Sequence, residues 1–168
     1  MRRAFTLIEM MISITILSIM MLFLYQSYAS INKSNRFYKK ESKKIIDAME
    51  LKKIFYLDLS LSHFKSVKIL NQAKDEDVVF FQTSHSLHQN INPYVAYIKK
   101  DGRLYRLESL QPFKEYPLGV DDDYVVDDLA KITGMRLYKH DKTYAYLLDI
   151  ALEDKSEIIL KIKQLNEY

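Results

Sequence analysis

From Ala4 to Leu24 nearly every position is apolar, and Glu9 is the one charge in the run. A run of this length can cross a bilayer as a helix, which needs about 20 apolar residues. The helical period then continues. Tyr25, Tyr28, Ile31, Tyr38, Ile45 and Met49 recur at spacings of three, four or seven, and Ile46, Leu51, Ile54 and Phe55 widen the stripe. No Gly or Pro interrupts the chain before Pro93. The pattern predicts one helix from about Phe5 to about Leu59, roughly 80 Å long at 1.5 Å per residue. Its first part is apolar all round. Its second part is amphipathic, with one face expected under a globular domain.

Beyond Asp58 the period shifts towards alternation. Residues 64–70 read as a first strand, 71–77 as a polar turn, 78–83 as a short apolar strand and 84–93 as a polar loop. Residues 94–109 read as a hairpin, because Asp101-Gly102 separates two alternating runs and a type I′ turn needs positive φ at both central positions. Alternation puts Leu104 and Arg106 on one face, and Tyr105 and Leu107 on the other, which is expected to point inward. Residues 111–128 read as a loop holding Pro112, Pro117, Gly119 and the acidic residues Asp121, Asp122, Asp123, Asp127 and Asp128. Strands are expected over 132–139, 144–152 and 157–165, the last two as antiparallel neighbours around Glu153-Asp154-Lys155. The fold class is therefore α+β: a long N-terminal helix, transmembrane and then amphipathic, followed by an antiparallel β-sheet domain.

Composition narrows the chemistry. A chain of 168 residues leaves room for one domain beyond the anchor. It has no Cys, hence no disulfide framework and no thiolate chemistry. Thirteen Tyr and eight Phe can supply the packing instead. A net charge of +3 is no electrostatic footprint for nucleic acid. Three Gly build no phosphate loop, and no G-x-S-x-G elbow is present. His85 and His88 lie three apart without a Cys partner, which is thin for zinc. The 121–128 cluster offers oxygens for calcium but lacks the EF-hand spacing, and it reads as a solvated loop. No catalytic residue, cofactor or metal ligand is expected, and the chain is not expected to be an enzyme.

Glu9 needs an explanation of its own. A carboxylate near the centre of a spanning helix costs about 2.5–3.5 kcal/mol on insertion scales. From the residues alone it either reaches the headgroups, is protonated or finds a cationic partner. The segment Phe5-Thr6-Leu7-Ile8-Glu9, after a short basic leader (Arg2, Arg3) ending in the small Ala4, resembles the N-terminal signature of type IV pilins and type II secretion pseudopilins. The resemblance implies cleavage between Ala4 and Phe5 by prepilin peptidase, methylation of the new Phe5 amine, and docking of Glu9 on the N-terminal amine of a neighbouring subunit. That family usually carries Gly before the cut, where this chain has Ala4. A pilin-like organisation follows: a leader over 1–4, a transmembrane helix over 5–25, its amphipathic continuation over 26–59 and a periplasmic β domain over 60–168.

The six basic residues between Lys33 and Lys44 outnumber Arg2 and Arg3. A positive-inside count alone would therefore place the C-terminal side in the cytoplasm. The resemblance implies the reverse, an inner-membrane anchor with the domain in the periplasm. The basic stretch itself reads as a solvated face, with headgroup contact as a second reading. The layout also resembles the minor, J-type pseudopilins in the run 53–59 closing the helix, in the 97–107 hairpin with Gly102-Arg-Leu-Tyr-Arg106, and in Asp127-Asp128-Leu129. This implies a subunit at the tip of, or within, a pilus-like fibre for protein secretion or DNA uptake. Its partners would be prepilin peptidase, other pilins or pseudopilins, the inner membrane, and cargo or DNA met through the fibre. The alternative is a membrane-anchored or secreted periplasmic ligand-binding domain, with Ser27-Tyr28-Ala29 before Ser30 as a signal-peptide cleavage site.

Overall fold

The computed structural model describes residues 6–73, 76–114, 116–119, 123–140 and 143–165. Helix α1 spans Leu7–Ser60. Seven strands follow: β1 Lys68–Ala73, β2 Glu76–Gln82, β3 Tyr94–Lys100, β4 Arg103–Ser109, β5 Val125–His140, β6 Ala145–Leu152 and β7 Glu157–Lys163. The chain divides into two compact units, Met1–Asp47 and Ala48–Tyr168.

In the first unit the described residues are helical from Leu7 onward, and their large apolar side chains are exposed. The helix is long and apolar enough to cross a membrane by length and composition.

The second unit joins the last turns of α1 to the sheet. Strands β1 to β7 pair in sequence order, every neighbour antiparallel, with one added parallel contact between β2 and β5 at Glu76 and Met135. Strand β5 serves two partners. Its residues 125–131 pair with β4 and its residues 132–140 with β6, with a register shift between Ile132 and Gly134. Leu51, Phe55 and Leu59, four residues apart on one helix face, enter a core with Val95, Tyr97, Leu104, Met135, Leu148 and Ile150. Phe55 stacks on Tyr97 with ring centroids 4.1 Å apart. Burial of each such side chain contributes about 1.5–3 kcal/mol.

A second cluster forms from Val78, Phe80, Ala96, Ile98 and Leu107, packed by Phe113, Tyr116, Leu118 and Tyr124. Alternate residues of β2, β3 and β4 thus enter different cores. This explains why Val95, Ala96, Tyr97 and Ile98 are all buried without alternation.

The last described residues are fastened to the helix end. Leu165 N donates to Ser60 O at 2.8 Å, and Gln164 Nε2 donates to the carbonyls of Ser62 (2.7 Å) and His63 (2.9 Å).

Several expectations change. The first strand begins at Lys68 instead of Phe64, and β1 to Ala73 with β2 from Glu76 takes up most of the stretch 71–77 read as a turn. Residues 63–66 form a turn, with Ser66 N and Oγ both donating to His63 O and Lys65 at φ 59°. Strand β5 begins at Val125, inside the stretch read as loop, because β-branched Val125 and Val126 pair with Glu108 and Leu107 of β4. The faces of β4 are not divided into inner and outer. Leu104 joins the core under α1 and Leu107 the second one, while Arg106, expected to face away, is fully buried. Finally, Tyr28, Ile31, Tyr38, Ile45 and Met49 of the helical stripe are exposed, and full burial on α1 starts at Leu51. The hairpin forms as read: Lys100 faces Arg103, with Asp101 and Gly102 at φ 51° and 71°.

Candidate functional site

The first turn of α1 is built by Thr6 and Glu9. Glu9 N donates to Thr6 Oγ1 at 3.4 Å, while Thr6 N and Thr6 Oγ1 donate to Glu9 Oε2 at 3.1 and 3.0 Å. This reciprocal box satisfies two backbone donors that a helix start leaves without intrahelical partners. It also fixes the carboxylate against the end of the helix. A carboxylate offers about four acceptor positions, so the box does not exhaust it.

The hydroxyls further along turn back on their own helix. Ser13 donates to Glu9 O at 2.8 Å, Thr15 to Ile12 O at 2.8 Å and Ser18 to Ile14 O at 2.8 Å. Their hydrogen bonds are met within the segment, as a lipid environment demands. Glu9 is left as the only charge between Thr6 and Asn32. Such a group calls for the headgroups, a proton or a cation to offset its charge. Ala4 and Phe5, the expected cleavage and methylation positions, lie outside the described residues.

Residues 1–25 match the prokaryotic N-terminal methylation motif. The motif marks the type IV pilin and pseudopilin family. The matched residues include the start of the helix that is long and apolar enough to cross a membrane. Residues 26–168 lie outside the match. No curated protein and no solved structure matches the chain.

At the C-terminal end of α1 lies a polar cluster that sequence reading missed. Asp58 is fully buried. It accepts from Arg106 Nε (2.8 Å) and from Tyr97 Oη (2.6 Å) on Oδ2, while His85 Nδ1 lies 2.6 Å from Oδ1. Arg106 Nη1 donates to Glu108 Oε2 at 2.6 Å. Glu108 also accepts from Ser86 Oγ, Leu87 N and Asn90 Nδ2. Helix end, β3, β4 and the 84–92 loop thus meet in one network.

Burial disfavours the charged form of Glu108, but the hydrogen bonds from Ser86, Arg106, Asn90 and Leu87 outweigh it and hold its carboxyl at about 2. Burial likewise works against the Arg106 charge, yet Asp58 and Glu108 raise its pKa. Burial first, and then the Asp58 charge, push Tyr97 well above the ordinary tyrosine value.

Four of the side chains weighed as metal ligands, His85, His88, Asp127 and Asp128, are otherwise engaged. His85 contacts Asp58, and His88 Nε2 lies 3.0 Å from Asp127 Oδ2. Asp127 also approaches Arg106 Nη1 at 3.6 Å, and Asp128 pairs with Arg103. Asp121 and Asp122 lie outside the described residues. Among the described residues no group of three or more His, Asp or Glu side chains is arranged to hold a metal ion.

The signal for the cluster was present in the sequence. Asp58 lies seven residues after Leu51 and three after Phe55, on the face those two bury. Arg106 occupies the same strand face as Leu104.

Proposed function

We propose that this protein is a minor pilin-like subunit of a pilus or pseudopilus. In this reading prepilin peptidase cuts between Ala4 and Phe5, and Phe5 is N-methylated. Residues 5–25 hold the chain in the inner membrane, residues 26–59 continue the helix, and residues 60–168 form the periplasmic domain. The subunit joins or caps a fibre used for type II protein secretion or DNA uptake. It acts by packing and docking, without enzymatic turnover.

The observation that carries the proposal is Glu9, the single charge of the apolar run, set in the first turn by Thr6. The ammonium at the N-terminus of a neighbouring subunit would relieve that charge and fix the axial register between helices. The J-type assignment draws on three stretches that supply Asp58, Arg106 and Asp127 to one polar cluster.

The test is the N-terminal sequence and intact mass of the protein from its host's membranes. A chain beginning at methylated Phe5 supports the proposal. A chain beginning at Ser30 would instead make it a secreted binding domain, and an intact Met1 a plain membrane anchor.

A further inference from the structure

A groove opens beside the second core, with a volume of about 520 Å³. Its floor is one face of β3, β4 and β5. Ile98 faces Tyr105 across the β3–β4 ladder, and Leu107, two residues further on, faces Val126 of β5. Tyr116, Pro117 and Tyr124, between β4 and β5, form the wall, and Lys100 and Asp101 of the hairpin turn line one end.

The polar inventory of this groove is lopsided. Tyr105, Tyr116 and Tyr124 are half-buried, and among the described residues none of their hydroxyls has a hydrogen-bond partner. Lys100 forms no ion pair among them either. Against these donors the lining offers one carboxylate, that of Asp101, and no side-chain amide. The site therefore suits a ligand rich in acceptors and poor in donors, with apolar faces to lie on the rings.

A proline-rich segment has these properties. Proline keeps its carbonyl but lacks the N–H, and the polyproline II conformation makes no internal hydrogen bonds. Its carbonyls are free for the tyrosine hydroxyls, and its pyrrolidine rings for Ile98, Val126 and the aromatic faces. The conformation is set before binding, so little ordering is lost. Length agrees as well. The floor runs from the level of Arg103, opposite Lys100, to Leu107, roughly 13 Å of strand. Polyproline II rises about 3.1 Å per residue with about three residues per turn, so about four residues fit, and the first and fourth present the same face.

We propose that this groove binds a proline-rich segment in the polyproline II conformation, its carbonyls accepting from Tyr105, Tyr116 and Tyr124. The segment comes from a different protein, because the prolines of these 168 residues, Pro93, Pro112 and Pro117, form no such run.

Fluorescently labelled decaproline, titrated with the full-length protein in detergent micelles and followed by anisotropy, tests this. Saturable binding is expected, with a glycine-serine peptide of equal length at least tenfold weaker. Tyr105→Phe combined with Tyr124→Phe keeps the rings and removes two hydroxyls, and affinity should fall at least tenfold. Val126→Trp, at an exposed position of the floor, should fill the groove and abolish binding while the melting temperature stays unchanged. Tyr138→Phe, exposed outside the groove, should leave affinity unaltered. Decaproline that fails to bind, or that binds the double variant as tightly, would overturn the proposal. Maltoheptaose taking the place of decaproline would assign the groove to a carbohydrate and overturn it too.

Discussion

Arg106 and Asp58, 48 residues apart in the chain, meet with Nε 2.8 Å from Oδ2, and neither side chain has any exposed surface. One comes from the middle of a strand and the other from the last turns of the long helix. Their contact, with Glu108 on the far side of the guanidinium, joins the helix to the sheet by charge as well as by packing. Removing the cation leaves two buried carboxylates without their partner. Arg106→Met should therefore destabilise the domain by about 3–5 kcal/mol. Urea unfolding of the purified full-length protein measures this, and a loss below about 1 kcal/mol would show that the pair is not integral to the fold.

Acid should loosen the same region. The Glu108 carboxyl is held at about 2, against an ordinary value of 4.5. A depressed folded-state value means that the stabilisation is complete above about 4.5 and is lost as pH falls towards about 2. Melting temperature should fall through that window, and Glu108→Gln should flatten the fall. An unchanged acid profile in the variant would remove Glu108 as its source.

Thr6 and Glu9 share hydrogen bonds but should not share a phenotype. Glu9→Gln removes the charge proposed to dock a neighbour. It should abolish recovery of the protein in sheared fibres while leaving membrane insertion and the melting of the domain unchanged. Thr6→Ala removes only the cap, a loss of about 1 kcal/mol at the helix start, and fibre recovery should persist. Immunoblots of fibre and membrane fractions separate the two, and equal loss in both would assign the role of Glu9 to local helix capping.

At the β3–β4 turn, Gly102 has φ +71°, and a Cβ added there would find its nearest neighbour, Ile132 O, only at 4.0 Å. Space is available, so Gly102→Ala should cost about 1–2 kcal/mol, from left-handed backbone strain alone. A loss of 4 kcal/mol or more in thermal unfolding would mean that the turn is packed in a way this geometry does not contain.

Local signals in the sequence were read well where one physical cause dominates. The helix was legible because apolar period and the absence of Gly and Pro agree over more than fifty residues. The β3–β4 hairpin was legible because Asp101-Gly102 admits few backbone solutions. What escaped depends on distant partners. Arg106 looked solvent-facing because nothing near it in the chain announces Asp58. The strand at Val125 was hidden among acids and prolines, since Asp127 and Asp128 are tolerated there by the arginines they reach, Arg106 and Arg103. The docking role proposed for Glu9 rests on a short, position-specific signature, whereas its hydrogen bonds to Thr6 needed the structure.

The chain's last described residues sit where the helix hands over to the sheet: Leu165 is bonded to Ser60, and Gln164 to Ser62 and His63. Consider the mechanics of a subunit drawn out of lipid by its helix. A tug along α1 reaches the final strand at once through these bonds, and the seven strands are gripped from both ends of their sequence. Tension must shear β6 and β7 along their length, where many hydrogen bonds resist together, before the fold can run out like thread from a spool.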